Sequence, residues 1–208
     1  VMTKSLKHIF LTLALTLCCT AFAGTTANDV LSKTSLKINS AKSLTAKFTA
    51  TASEGKSTNG TLTISGRKFA MTADGYGVWY NGTDMWSYYA NNKETSLTSP
   101  TDSELLEINP LMIVNQYAKN FKATIVSKSN NSYTVALTPI SKSNTVRKAI
   151  LVISTSTWLP TSIDATFSNN TSLKIKIISI TEGKVAPAKS VFEYPKAKYT
   201  GVEVIDLR

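Results

Sequence analysis

The sequence predicts a mainly β (α+β) fold in which ten or eleven antiparallel strands run in meander order and short helices interrupt them. Three observations carry that expectation. After Ser43 the apolar residues fall at period two, the mark of strands with one dry and one wet face. Turn signals such as Glu54-Gly55, Asp74-Gly75, Asn81-Gly82, Asn130-Asn131 and Glu182-Gly183 punctuate the chain. No change of composition marks a second domain. Twisted antiparallel strands in such number tend to curl into a barrel or half-barrel, whose concave face offers more apolar surface than a few short helices fill.

Residues 24 to 41 read as a helix, with Asn28 as N-cap, Asp29 in the first turn, and Val30, Leu31, Thr34 and Ile38 along one stripe. In the strand region Phe48 alternates with Lys47 and Thr49, and Leu62 and Ile64 alternate with Thr61, Thr63 and Ser65. Leu173, Ile175 and Ile177 alternate with Lys174 and Lys176 in the same way. Thr101-Asp102-Ser103-Glu104 is a capping-box pattern that leads into Leu105 and Leu106. Asn109-Pro110 then reads as an N-cap followed by proline at the first helical position. The helix so opened, from Leu111-Met112-Ile113-Val114 onward, carries no charge through Tyr117. A helix apolar all round is either buried or faces something greasy.

The stretch WYNGTDMWSYY, residues 79–89, concentrates Trp79, Tyr80, Trp86, Tyr88 and Tyr89 around Asn81-Gly82. Asn-Gly predicts a two-residue type I′ turn that pairs Tyr80 with Thr83 and Val78 with Met85. Alternation puts Trp79, Trp86 and Tyr88 on one face, and Tyr76, Val78, Tyr80, Met85 and Tyr89 on the other. Both faces are apolar, and pliable Met85 favours the second face for a hydrophobic site.

The first residues read as a secretory signal peptide: Lys4 and Lys7, an apolar run from Ile9 to Leu17, and Ala21-Phe22-Ala23 as the cleavage site. Leu15-Thr16-Leu17 lacks the small side chains expected before a lipidated cysteine at Cys18. Segment 1–23 is therefore expected to be removed, leaving 24–208 as one domain. Cleavage takes away both cysteines and His8, the single histidine of the sequence. With neither residue left, Ser-His-Asp and Cys-His catalysis and the usual zinc ligand sets are excluded, and no phosphate loop or nucleophile elbow is present. The 13 acids are scattered, apart from Glu104 and Glu107 on one predicted helix. The expectation is a non-enzymatic protein without cofactor or metal. The formal charge of the whole chain is +10, but its lysines stand singly on strand faces, so no nucleic-acid partner is expected.

In this order the landmarks resemble a known family. The predicted N-terminal helix is followed by Leu44 to Phe48, then by Gly60-Thr61-Leu62-Thr63-Ile64. Asn81-Gly82-Thr83-Asp84-Met85-Trp86-Ser87-Tyr88 is similar to that family's D-G-x-x-x-W-x-Y. Asn109-Pro110-Leu111-Met112-Ile113 follows, and then Phe192-Glu193-Tyr194-Pro195 through Tyr199 to Asp206. The chain resembles LolA, the periplasmic carrier of outer-membrane lipoproteins, in a Bacteroidetes-type form. The resemblance implies an incomplete antiparallel barrel closed by a lid of helices over a hydrophobic cavity. It implies acylated lipoproteins as cargo, an inner-membrane lipoprotein-releasing ABC transporter as donor, an outer-membrane acceptor, and a monomeric carrier in the periplasm. Each buried methylene is worth about 0.8 kcal/mol, so a sixteen-carbon chain costs on the order of 12 kcal/mol in water, which is why transit needs a cavity.

On that reading the acyl cavity and lid draw on Phe48, Leu62, Ile64, Phe69, Tyr76, Val78, Met85, Trp86, Leu106, Leu111, Met112 and Ile113. The family's early strands carry an Arg-Pro step whose arginine latches the lid. This sequence has Ser65-Gly66-Arg67-Lys68-Phe69, without proline and about one residue out of register, and Arg67 is the candidate latch. A second reading keeps the scaffold and makes it a lipid- or lipoprotein-sensing regulatory module. A third makes Trp79, Trp86 and Trp158 stacking platforms for carbohydrate, which requires exposed rings.

Overall fold

The structure, a computed structural model, describes residues 24–208, so the predicted signal segment 1–23 lies outside the described residues. Helix α1 (Ala27–Ser40) opens the fold and is followed by a six-strand meander. Its strands are β1 (Ser43–Ala52), β2 (Ser57–Ser65), β3 (Lys68–Ala73), β4 (Tyr76–Tyr80), β5 (Met85–Tyr89) and β6 (Glu94–Thr98). A helical connection comes next: α2 (Asp102–Ile108), a 3₁₀ turn (Pro110–Met112) and α3 (Ile113–Asn120). A second meander contains β7 (Phe121–Lys128), β8 (Ser132–Pro139), β9 (Val146–Ser154), β10 (Pro160–Phe167) and β11 (Ser172–Gly183). The chain ends through two 3₁₀ turns in β12 (Glu203–Asp206).

All twelve strands form one sheet, in the order β12-β6-β5-β4-β3-β2-β1-β11-β10-β9-β8-β7. The sheet is open, because β12 and β7 are its two edges. The incomplete antiparallel barrel read from the sequence is therefore present, with one strand more than expected. The extra strand is β12, four residues that pair parallel with β6 and extend the sheet at that edge. Pairing of β1 with β11 welds the two meanders together, and a register shift at Lys47/Phe48 interrupts it. A bulge bends a strand and raises its twist, so this one helps curve the sheet at its centre.

Strand β6 lies near one edge of the sheet and β7 forms the other, so the helical connection between them must cross the concave face. Adjacent leucines of α2 divide along the way. Leu105 joins the apolar cluster of Phe48, Leu62, Phe69, Val78, Tyr80 and Met85, on the first meander. Leu106 joins the cluster that α1, α3 and the second meander share, which includes Ile113, Val114, Val135, Leu137 and Leu151. The α1 stripe is buried as expected, at Val30, Leu31, Thr34 and Ile38.

Local details differ from the sequence reading at three places. The N-cap of α1 is Thr26, not Asn28. The Thr26 hydroxyl accepts from the Asp29 N–H, and the Asp29 carboxylate accepts from the Thr26 N–H at 2.8 Å. This reciprocal box satisfies two end groups where a lone Asn28 would satisfy one. The turn after β4 has four residues, not two, and pairs Tyr80 with Met85 and Val78 with Ser87. The Asn81 side chain accepts from the N–H groups of both Thr83 and Asp84 at 2.9 Å, which stabilises the wider loop. A shift of two leaves every side chain on its expected face. Asn109-Pro110 opens a 3₁₀ turn before α3 instead of α3 itself, because the Asn109 carbonyl accepts from Met112.

The C-terminal segment covers the convex side of β3 to β6. Phe192 is buried there, and Tyr194 and Tyr199 pack edge-on against Trp79 at 5.5 and 5.7 Å between ring centres. Trp79, 4% exposed, is thus a core residue of that outer layer and no stacking platform. Truncation by Trp79→Ala is expected to cost about 3–5 kcal/mol, read from the urea midpoint.

A pH effect follows from the two capping boxes. Hydrogen bonds from the backbone and hydroxyl of Thr26 hold the Asp29 carboxyl below its ordinary range, and Thr101 does the same to Glu104. Groups depressed in the folded state contribute fully above their unfolded values, and the contribution is lost as pH falls through the folded ones. Lowering the pH from about 6 to about 3 is expected to reduce the amide protection factors, each taken relative to the intrinsic exchange rate at that pH, in the first turns of α1 and α2 before the sheet responds.

Candidate functional site

Cross-strand rows on the concave face explain where the molecule is solid and where it is hollow. One row runs Ile64–Phe69–Tyr80–Met85 across β2 to β5 and is filled by bulky side chains under Leu105. Further along the strands, the row is Phe48–Gly60–Ala73–Tyr76, with two small residues in its middle. A Cβ at Gly60 would collide with the Phe48 ring, so this glycine lets the ring lie flat on the sheet. Across the weld Ala50 pairs with Ile175, and Ile175 with Ile163.

The space left over these small residues is a cavity of about 420 Å³. Its walls are Ala46, Phe48, Ala50, Leu62, Met71, Ala73 and Tyr76 from the first meander, and Ile163, Leu173, Ile175 and Ile177 from the second. Glu107, Ile108, Asn109 and Leu111 close it from the helical side. The size suits a flexible small-molecule or acyl ligand. The lining is almost wholly apolar, and burial pushes the Tyr76 hydroxyl well above its usual pKa, keeping it neutral. No group of His, Cys, Asp or Glu suited to holding a metal occurs among the described residues.

The twelve residues expected at cavity and lid do not all converge. Phe48, Leu62, Tyr76 and Leu111 line this cavity. Phe69, Val78 and Met85 lie on the same face but are buried in the packed cluster beside it. Leu106 and Ile113 belong to the core between α1, α3 and the second meander. Ile64 and Met112 line a neighbouring chamber on the far side of the 109–112 turn. Trp86 is misplaced by the sequence reading: it pairs with Trp79, so it points to the convex side, away from the cavity. The hairpin face that turns inward is the one bearing Tyr76, Val78, Tyr80 and Met85.

Several wall residues were missed. Ala46, Ala50 and Ala73 are too small to suggest a site by themselves. Leu173, Ile175 and Ile177 were visible as an alternating strand, but only their incomplete burial marks them as cavity wall. Arg67 sits in the β2–β3 turn and donates from Nη2 to Asp102 Oδ1 at 2.7 Å, joining that turn to the first turn of α2. The Asp102 hydrogen bond, and after it that of Tyr80, raises the guanidinium pKa.

Fold and cavity together define a protein class: an open, curved antiparallel sheet with an apolar chamber under a crossing helical segment. Residues 17–168 match the family described as outer membrane lipoprotein carrier protein LolA, and the chain belongs to that family. Among solved structures it is similar to an uncharacterized conserved protein from Thermus thermophilus, at TM-score 0.59 and 9% identity over 86% of this chain and 98% of that one. A DUF1329 family protein from Desulfovibrio piger aligns at TM-score 0.47 and 12% identity, covering 81% and 97%. A LolA superfamily protein from Nitrosomonas europaea aligns at TM-score 0.39 and 11% identity, covering 82% and 98%. A search of curated proteins finds no match.

Both partners of the Arg67–Asp102 pair are largely exposed, at 64% and 60%. Such pairs are worth about 0–1 kcal/mol. Arg67→Gln is therefore expected to leave the urea midpoint nearly unchanged while raising amide exchange along α2, measured by hydrogen exchange with mass detection. A drop of several kcal/mol would show that the pair is structural instead.

Proposed function

We propose that this protein is a periplasmic carrier that holds the acyl chains of lipoproteins in its apolar cavity while they travel from the inner to the outer membrane. The observation that carries the reading is the cavity itself, walled by both meanders and roofed by a segment held through few polar contacts. Family membership supports it. No helix among the described residues is long and apolar enough to cross a membrane. Acylated lipoproteins are the cargo, an inner-membrane lipoprotein-releasing ABC transporter is the donor, and an outer-membrane component accepts them.

The protein acts by binding and exchange, without cofactor or bond-making. Apolar area removed from water holds each chain, at about 0.8 kcal/mol per methylene, so the cargo leaves its membrane only for a site of comparable dryness. Leu111 and Ile108 are the parts of the roof that touch the chain, and Arg67 with Asp102 is the latch that opening breaks.

Two measurements test the reading. Added to spheroplasts supplied with labelled triacylated lipoprotein, the protein should release it into the soluble fraction in an ATP-dependent, stoichiometric manner. No release by a folded protein that still binds free acyl probes would sink the carrier assignment and leave a lipid-binding or sensing module. In the second, Ala50→Leu combined with Ala73→Leu fills the void from opposite strands. Binding of a fluorescent acyl probe should fall at least about tenfold while the urea midpoint holds or rises. Unchanged probe affinity would place the chains elsewhere.

A further inference from the structure

The apolar cavity has a neighbour of different character. Beyond the 109–112 turn lies a second chamber, also of about 420 Å³, bordered by Arg67, Asp102, Asn115 and Gln116 and floored by Ile38 and Ile64. A narrow apolar gap lies between the two: it shares Ala46 and Leu62 with the first chamber and Ile38 and Ile64 with the second. Leu111 lines all three spaces, and Asn109 lines both chambers.

Asn109 is the unusual residue of this partition. It is 1% exposed, and its Nδ2 is buried with no hydrogen-bond partner among the described residues. Its orientation is fixed, because Oδ1 accepts from the Leu111 N–H at 3.2 Å. Thr58 Oγ1, the other unpartnered polar atom of the first chamber wall, is a hydroxyl that can rotate to find an acceptor. Asn109 has no such freedom. A buried amide donor without an acceptor needs a physical reason, and an acceptor supplied by a ligand is one.

We infer that the two chambers are one site for an amphiphile, in which the acyl chain fills the first and the polar head the second. At the partition Asn109 Nδ2 donates to the carbonyl that joins them, an ester or amide. Leu111 is the side chain the ligand displaces, which uncovers Nδ2. The second chamber suits an uncharged or zwitterionic head, since its Arg67 and Asp102 already neutralise each other. The inference rests on the acyl-binding reading of the first cavity. Its ligand chemistry, an acyl carbonyl flanked by chain and head, is shared by acylated peptides and by membrane glycerolipids.

The test compares a diacylglyceryl-cysteinyl pentapeptide with its dialkyl ether analogue, in which methylenes replace the carbonyls. A diacyl phospholipid and its dialkyl counterpart run in parallel, and carbonyl dependence in either pair supports the inference and identifies the source. The expected result is about tenfold tighter binding of the ester than of the ether, a ratio narrowed to within about twofold by Asn109→Asp at about pH 8. Aspartate keeps the acceptor for Leu111 and removes the donor. In the unmutated protein, the Asn109 side-chain amide resonance should move with the ester and not with the ether, a readout independent of how the variant folds. An ester preference that survives Asn109→Asp, or an unmoved resonance, overturns the inference. Failure of every compound to bind the unmutated protein instead overturns the acyl reading beneath it.

Discussion

The structure depends on the pairing of β1 with β11. Each meander alone would be an ordinary twisted sheet with a solvent-facing edge. Joined through these two strands they become a single surface, and the first strand of the second meander is carried to the edge farthest from β6. The connection from β6 to β7 then has one short route, over the concave face. Its apolar residues find partners on both sides of the weld, as Leu105 and Leu106 do. The roof is thus a consequence of strand order, and the helices form along it because capping and apolar stripe agree with the path.

Given a roof, the interior could have been filled. Where Phe69, Tyr80 and Met85 face the helices, it is. The hollow follows the small residues Ala46, Ala50, Gly60 and Ala73, and it lies where the two meanders meet. A well-packed core gains stability from each methylene it adds, so large apolar voids cost a protein free energy. This one is kept open from three strands at once, and the Phe48 ring is laid flat over Gly60 instead of standing into the space. Ligand methylenes can recover there what the missing side chains forgo.

Much of this was legible because period-two alternation is set by strand geometry and does not depend on register. The strands, the capping box of α2 and the division of the 76–89 hairpin into two faces all follow from it or from local hydrogen-bond chemistry, whereas the box that caps α1 starts two residues before the expected Asn28. What failed needed a partner the sequence does not display. Asn81-Gly82 argued for a tight turn, and only the Asn81 side chain reaching Thr83 and Asp84 widened it. Trp86 was expected in the cavity even though alternation already set it beside Trp79 and opposite Met85, and its pairing with Trp79 puts it on the convex side. The cavity's position was beyond reach because it is decided by which residues stand opposite Gly60 and Ala73, a question of cross-strand register. Arg67 was identifiable as a rare cation beside a turn, but Asp102 lies 35 positions away.

The same arrangement explains why the roof can be both specific and loose. Its ends are fixed by apolar burial, at Leu105, Leu106, Ile113 and Val114, all at most 4% exposed. Its middle, the 109–112 turn, is different: Leu111 and Met112 are only half-buried, and the Asn109 Nδ2 has no partner among the described residues. Anchored ends with a weakly held centre make a hinge-like strap whose local opening costs far less than unfolding the domain. On the carrier reading proposed above, a cavity that takes up and gives back long apolar chains needs that asymmetry. If the whole roof packed as firmly as α3, chains would have no way in. If its ends were as loose as its centre, the two meanders would lose their shared core.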